Sequence, residues 1–392
     1  MNKNILNTGV QEFISKNWNT DIMSVLLKKQ QFTAVTQKEL VEQLEAKKKC
    51  KEKLFTWFNT PKTYYPNKLN IEQTSSENTA QYKANLVNGN TLLDLTGGFG
   101  VDSFFFSQKI KEVYHCELDK NLSEIARYNF DILGKKNISC IPENGLDFLT
   151  KTNLDLDWIF IDPSRRNDAK EKVFFLSDCL PNVPENLALL FSKSNHLLIK
   201  TSPLLDFTIG INELKFVKEI QVVALQNDVK ELLWILEKNY DKEITVKTIN
   251  LLKNTTETFD FILNKERAMV SSLSEPLSYL YEPNSAILKS GAFKSVGNHF
   301  KLYKLQEHSH LYTSNELVDF PGRVFKVAAV IPFNKKEIQK LKITKANITT
   351  RNFPEPVASI RKKFKIKDGG DMYLFFTTDS TDKLVLLKCF KV

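Results

Sequence analysis

Cysteine is scarce and unpatterned: five residues, Cys50, Cys116, Cys140, Cys179 and Cys389, with no CxxC pair among them. An odd, scattered set gives neither a zinc framework nor a disulfide scaffold, and fits a reducing, cytoplasmic setting. Long apolar runs are also missing. No stretch reaches the roughly 18 residues that a membrane-crossing helix requires. The opening residues, MNKNILNTGVQEF, lack the continuous apolar core and small-residue cleavage site of a secretory signal. The glycine-rich turn near residue 97 has neither the G-x-G-x-x-G dinucleotide fingerprint nor a following G-K-[ST]. Those gaps leave a soluble chain without an expected metal and without a membrane partner.

What is present is a 392-residue chain, 42% hydrophobic, with 55 Lys and Arg against 46 Asp and Glu, a net charge of +9. That length allows two or three domains, each with its own core. The positive surplus favours a polyanionic partner through counterion release. A Lys-rich composition produces the same surplus with no such partner, so charge alone leaves both readings open.

Residues 1–80 read as a helical domain. Within TQKELVEQLEAKKKCKEKLFTWF, Thr36 and Glu39 have the spacing of a capping box. NTPKTYYPNKLN, with Pro61 and Pro66, breaks the helical pattern. From 81 to 240 short apolar runs alternate with helical stretches: TLLDLTGG, EVYHCELD, NISCIPEN, LDWIFIDP, NHLLIKTSP, EIQVVAL and ELLWILEK. Such alternation predicts right-handed βαβ units and a parallel sheet buried on both faces. The last two runs are separated only by QNDVK, too short for a crossover helix, so they should pair antiparallel. Residues 241–315 are expected to form a small α+β, ferredoxin-like module, with EITVKTINLL and TFDFILN as strands and ERAMVSSLSEPLSYLYEP helical. Residues 316–392 then form a last domain of several strands.

In a doubly wound sheet, ligands bind outside the carboxyl ends of the strands where the strand order reverses. Four features fall at those ends. In DLTGGFG, Asp94 closes the first strand, and Gly97, Gly98 and Gly100 allow a sharp turn close to a ligand. A purely structural turn would look similar. Glu117 ends the second strand about twenty residues later, placed to accept bonds from ribose hydroxyls or to cap the next helix. Asn144 closes the third strand, where it could bond an adenine amino group or cap the helix GLDFL. In IFIDPSRR, Asp162 emerges from a buried strand, Pro163 stiffens the turn, and Arg165 and Arg166 bring donors suited to phosphate. Upstream, EQTSSENTAQYKANLV places Thr74, Ser75 and Ser76 at a helix N-terminus, either as an anion seat or as ordinary caps. His115, inside a strand, reads as a core residue rather than a metal ligand, and Phe104, Phe105 and Phe106 read as packing of the first helix.

Together these runs resemble the class I S-adenosylmethionine-dependent methyltransferases. The resemblance implies an α/β fold with a Rossmann-like seven-stranded methyltransferase sheet, an N-terminal helical region and a C-terminal α+β appendage. It implies that Asp94, Thr96, Gly97, Gly98 and Gly100 hold S-adenosylmethionine around its methionine part, with Glu117 on the ribose, Asn144 beside the adenine and Ser75 toward the carboxylate. YEPNSAILKSGAF and RNFPEPVASIRKKFKIKDGGDMYLFFTT further resemble bacterial methyltransferases with a C-terminal THUMP-like domain and a core similar to trimethylguanosine synthase.

For amine methylation that resemblance implies [DN]PP[FYW] at the fourth strand. Here Asp162 and Pro163 match, while Ser164 and Arg165 depart from it. The implied activity is methylation of a base amine of structured RNA, with Asp162, Pro163 and Arg165 at the acceptor. The alternatives are a protein or small-molecule acceptor, or an RNA-binding module without catalysis. RNA would be gripped by Arg361, Lys362, Lys363, Lys365 and Lys367, with Phe364 among them, although a solvated basic loop has the same composition.

Overall fold

The computed structural model describes residues 1–165 and 175–392. The chain divides into two compact units, Met1–Lys218 with Leu232–Asp241, and Glu219–Glu231 with Lys242–Val392.

The first unit opens with six helices: α1 (Thr8–Asn17), α2 (Ile22–Leu26), α3 (Gln37–Lys53), α4 (Phe55–Asn59), α5 (Lys68–Gln73) and α6 (Glu77–Ala84). The capping box at α3 is formed, Thr36 N–H donating to Glu39 at 2.8 Å and Glu39 N–H to the Thr36 hydroxyl at 3.2 Å. Then strand and helix alternate: β1 (Thr91–Asp94), α7 (Val101–Phe106), β2 (Glu112–Cys116), α8 (Lys120–Ile132), β3 (Ile138–Ile141), α9 (Gly145–Lys151), β4 (Leu156–Ile161), α10 (Val183–Lys193), β5 (Ser194–Thr201), α11 (Phe207–Glu213), β6 (Val217–Leu225) and β7 (Asp228–Glu237). In this unit the sheet runs β7-β5-β4-β1-β2-β3. Strands β1 to β5 are parallel and β7 is antiparallel to β5. The strand order reverses between β1 and β4, so their carboxyl ends open on one crevice. Phe106 is fully buried edge-on to Phe160 at 5.0 Å, and Phe104 packs on Trp57 at 4.9 Å, as expected of core rings.

The α/β architecture with helices before it and a further sheet after it is the one expected. β6 and β7 form the short hairpin, turning at Gln226 and Asn227, both with positive φ. In the second unit β8 (Thr245–Leu251) pairs parallel with β6, and β9 (Thr256–Ile262) pairs antiparallel with β8.

The rest of the second unit is a seven-stranded sheet. Its strands are β10 (Tyr279–Pro283), β11 (Tyr303–Lys304), β12 (Tyr312–Ser314), β13 (Gly322–Pro332), β14 (Asn347–Thr350), β15 (Met372–Thr378) and β16 (Leu384–Lys391), in the order β11-β12-β10-β13-β16-β15-β14. Five helices accompany them: α12 (Leu263–Ala268), α13 (Ser285–Ser290), α14 (Phe293–Phe300), α15 (Lys335–Lys340) and α16 (Val357–Phe364). Along β15 and β16 alternate residues enter two cores. Phe375 and Leu387 join Leu280 and Phe325, while Leu374, Phe376 and Leu386 join Ile338 and Ile360. The segment expected to be helical over ERAMVSSLSEPLSYLYEP is so only at its start. Helix α12 ends at Ala268, Ser274 N–H bonds Lys304 at 3.0 Å, and the segment finishes as β10.

Among the described residues no helix is long and apolar enough to cross a membrane, and no group of three or more His, Cys, Asp or Glu is placed to hold a metal.

Candidate cofactor and acceptor site

The loop after β1 is built around side chains that a Cβ would displace. A Cβ on Gly97 would lie 2.3 Å from the His115 ring, and one on Gly100, where φ is +87°, 2.3 Å from Phe130. Gly98, at φ +57°, turns its N–H onto Glu117 Oε2 at 2.8 Å. The other Glu117 oxygen accepts from Asp119 N–H at 2.7 Å, so two amides fix the carboxylate at the end of β2. Its neighbour Leu118 is 69% exposed, an apolar face that the sequence reading did not single out.

Asp94, at the end of β1, is buried. It is 1% exposed, accepts from the Ser103 hydroxyl at 2.5 Å and from Thr96 N–H at 3.2 Å. Burial pushes its pKa up to about 8, and the charges of Asp102 and Asp162 act the same way. His115 is fully buried, and that burial pushes its pKa down to about 4, which leaves it neutral.

Asn144 caps α9, its Oδ1 accepting from Leu146 N–H at 2.9 Å. A Cβ on the next residue, Gly145, would be 2.4 Å from the Leu95 carbonyl, so glycine is required where α9 starts against the β1 loop. Ser76 is the cap of α6, accepting from Thr79 N–H at 3.2 Å. Ser75 is turned inward instead. It donates to Asp102 at 2.7 Å and accepts from Lys83 at 3.1 Å, and Lys83 pairs with Asp102 at 3.2 Å. Ser75 therefore belongs to a buried network that joins α6 to α7.

At β4 the register decides the site. Ile161 lies opposite Ile199 in the parallel β4–β5 pair, which sets Asp162 beside Lys200. The two form an ion pair. Asp162 N–H donates to the Thr96 hydroxyl at 2.7 Å, tying the end of β4 to the β1 loop. Pro163 is buried, and the backbones of Ser164 and Arg165 pair with Leu180 and Cys179. The side chain of Arg165, and Arg166 altogether, lie outside the described residues.

The structure thus brings Thr96 to Asp162 and Gly98 to Glu117, while Asp94 and Ser75 are taken up inside the fold. In the basic stretch, Arg361 pairs with Asp368 and bonds the Ala346 and Ile366 carbonyls at 3.3 and 3.4 Å. Lys363 pairs with Glu355 at 2.7 Å and lies 4.9 Å over the Phe333 ring. Both are committed within the domain, Lys363 while still exposed, and Lys362, Lys365 and Lys367 are exposed as well.

Residues 279–321 match a ferredoxin-like domain family, and residues 322–391 match a THUMP domain-like family. Over the whole chain, the crystal structure of a "putative methyltransferase from Porphyromonas gingivalis W83" superposes with a TM-score of 0.89 at 30% identity, covering 100% of this chain and 98% of that one. The chain belongs to that methyltransferase family. Partial likenesses include an rRNA methylase from Streptococcus thermophilus, with a TM-score of 0.31 at 15% identity over 41% of this chain and 95% of that one. Another is M. capricolum TrmK, solved with S-adenosylhomocysteine, with a TM-score of 0.33 at 18% identity over 42% and 70%. Nothing among curated proteins matches.

Besides Leu118, two charged groups in this member of the methyltransferase family escaped the sequence reading. Lys200 ends the fifth apolar run, NHLLIKTSP, and the strand-end criterion applied to the first four runs would have found it. Lys83 had no such signal, because its partner Asp102 is on another helix.

Proposed function

We propose that this protein transfers a methyl group from S-adenosylmethionine to structured RNA. The observation that carries the reading is the pair of bonds across the crevice, Gly98 N–H to Glu117 and Asp162 N–H to the Thr96 hydroxyl. They gather three strand ends around one loop, in which Gly97 and Gly100 make way for the His115 and Phe130 rings and Gly98 turns its amide onto Glu117. Gly97, Gly98 and Gly100 would cradle the methionine part of the donor, Glu117 would take the ribose hydroxyls, and Leu118 with Asn144 would flank the adenine. The donor supplies a methyl group already activated on a sulfonium. What remains for the chain is to align the acceptor at Asp162 in line with that methyl and to exclude water.

The base-amine acceptor rests on the Asp162-Pro163 resemblance. Asp162 shares its carboxylate with Lys200, on the neighbouring strand. RNA as the substrate is supported by the THUMP domain-like match and by the exposed Lys362, Lys363, Lys365 and Lys367, of which Lys363 is paired with Glu355. A reducing cytoplasm is supported by five cysteines that are all free.

Calorimetric titration with S-adenosylhomocysteine tests the donor site. The wild type should bind, and Glu117→Ala should bind at least tenfold more weakly. No uptake by the wild type, or an unchanged variant, would overturn the assignment.

A further inference from the structure

We infer that the acceptor atom is a hydroxyl oxygen, the 2′-hydroxyl of an RNA ribose, and that Lys200 is the positioning residue that selects it. The inference rests on the methyl-transfer reading above. Its basis is the Asp162–Lys200 ion pair at the ends of adjacent parallel strands.

An amine acceptor gains positive charge as its nitrogen takes the methyl group, before its proton leaves. A fixed ammonium beside the acceptor carboxylate raises the energy of that state. The same ammonium also competes with the amine hydrogens for the carboxylate. A hydroxyl acceptor behaves oppositely, since its oxygen becomes more negative as its proton departs, and a neighbouring cation lowers the energy of that charge. Exposure fits this division of labour. The Asp162 side chain is 32% exposed, open to a substrate, whereas that of Lys200 is 14% exposed. The turn after Asp162 also lacks an aromatic residue, carrying Ser164 and Arg165 where the amine motif has a proline and a ring that stacks on a base. A ribose hydroxyl needs no such platform.

In the step that follows, the hydroxyl donates its hydrogen bond to Asp162 while Lys200 holds the carboxylate in place. The oxygen forms a bond to the methyl carbon as the carbon–sulfur bond breaks, and that bond's electron pair stays on sulfur. The hydroxyl proton passes to the Asp162 carboxylate and then to water. The products are a ribose methyl ether, a neutral thioether and one proton.

The test incubates the full chain with methyl-tritiated S-adenosylmethionine and total RNA from cells lacking the gene, followed by alkaline hydrolysis. A ribose 2′-O-methyl group blocks cleavage at its own phosphodiester, so label in alkali-resistant dinucleotides is the expected result. Lys200→Met should lower incorporation about a hundredfold with unchanged S-adenosylhomocysteine affinity, and Lys200→Arg should restore much of it. Label recovered on a base, or full turnover by Lys200→Met, would overturn the inference and leave the methyltransferase reading standing. No incorporation into RNA by the wild type would overturn both. A Lys200→Met chain that fails to bind S-adenosylhomocysteine leaves the decision to the position of the wild-type label.

Discussion

Asp94 shows how one buried acid is set by its neighbours. Its pKa rises from an ordinary 3.8 to about 8, so folding takes up a proton between those values. The stabilisation from the protonated acid is fully present below about pH 4, declines as pH rises, and is lost once pH passes about 8. We therefore expect the wild-type Tm to fall more steeply from pH 5 to pH 8 than that of Asp94→Asn, measured by differential scanning calorimetry. Parallel curves for the two proteins would contradict this. At this scale the sequence showed where a group sits but not which way it faces. Asp94 and Asp162 both end apolar strands. Ser103 and Thr96 draw the first inward, and Lys200, one strand away in space, meets the second.

Among the elements, α6 and α7 depend on one internal charge pair. Lys83 is fully buried, and Asp102 on α7 would be left as an uncompensated charge without it. Lys83→Met should cost about 3–5 kcal/mol of stability, read by urea unfolding, and adding Asp102→Asn should recover part of the loss. A cost under about 1 kcal/mol would show that the pair is unimportant to packing. The strand and helix alternation over 81–240 was legible because apolar runs and turn residues are local signals. The destination of β8 and β9 was not. Period-two patterning identifies a strand but carries no mark of the sheet it joins, so EITVKTINLL and TFDFILN looked like the start of a separate module. The helix expected after Glu266 failed for a similar reason, since Ser274 finds its partner in Lys304, thirty residues on.

For the whole molecule, the net charge of +9 counts cations that are paired as well as ones that are not. Arg361 and Lys363 are consumed by Asp368 and Glu355, which lie seven and eight residues away and gave no sign of pairing in the sequence. Lys362, Lys365 and Lys367 keep their exposure. Replacing these three lysines with alanine should weaken RNA binding, and should reduce the slope of log affinity against log salt by about 2–3. Tm and S-adenosylhomocysteine affinity should stay the same. An unchanged salt slope in filter-binding assays would place the RNA contacts elsewhere.

The Thr96 hydroxyl splices the proposed donor seat to the proposed acceptor seat with a single oxygen. Because that oxygen receives the amide of Asp162, we expect a shift of the glycine turn to be passed on to the Asp162 backbone, so that Thr96→Val would loosen the one from the other.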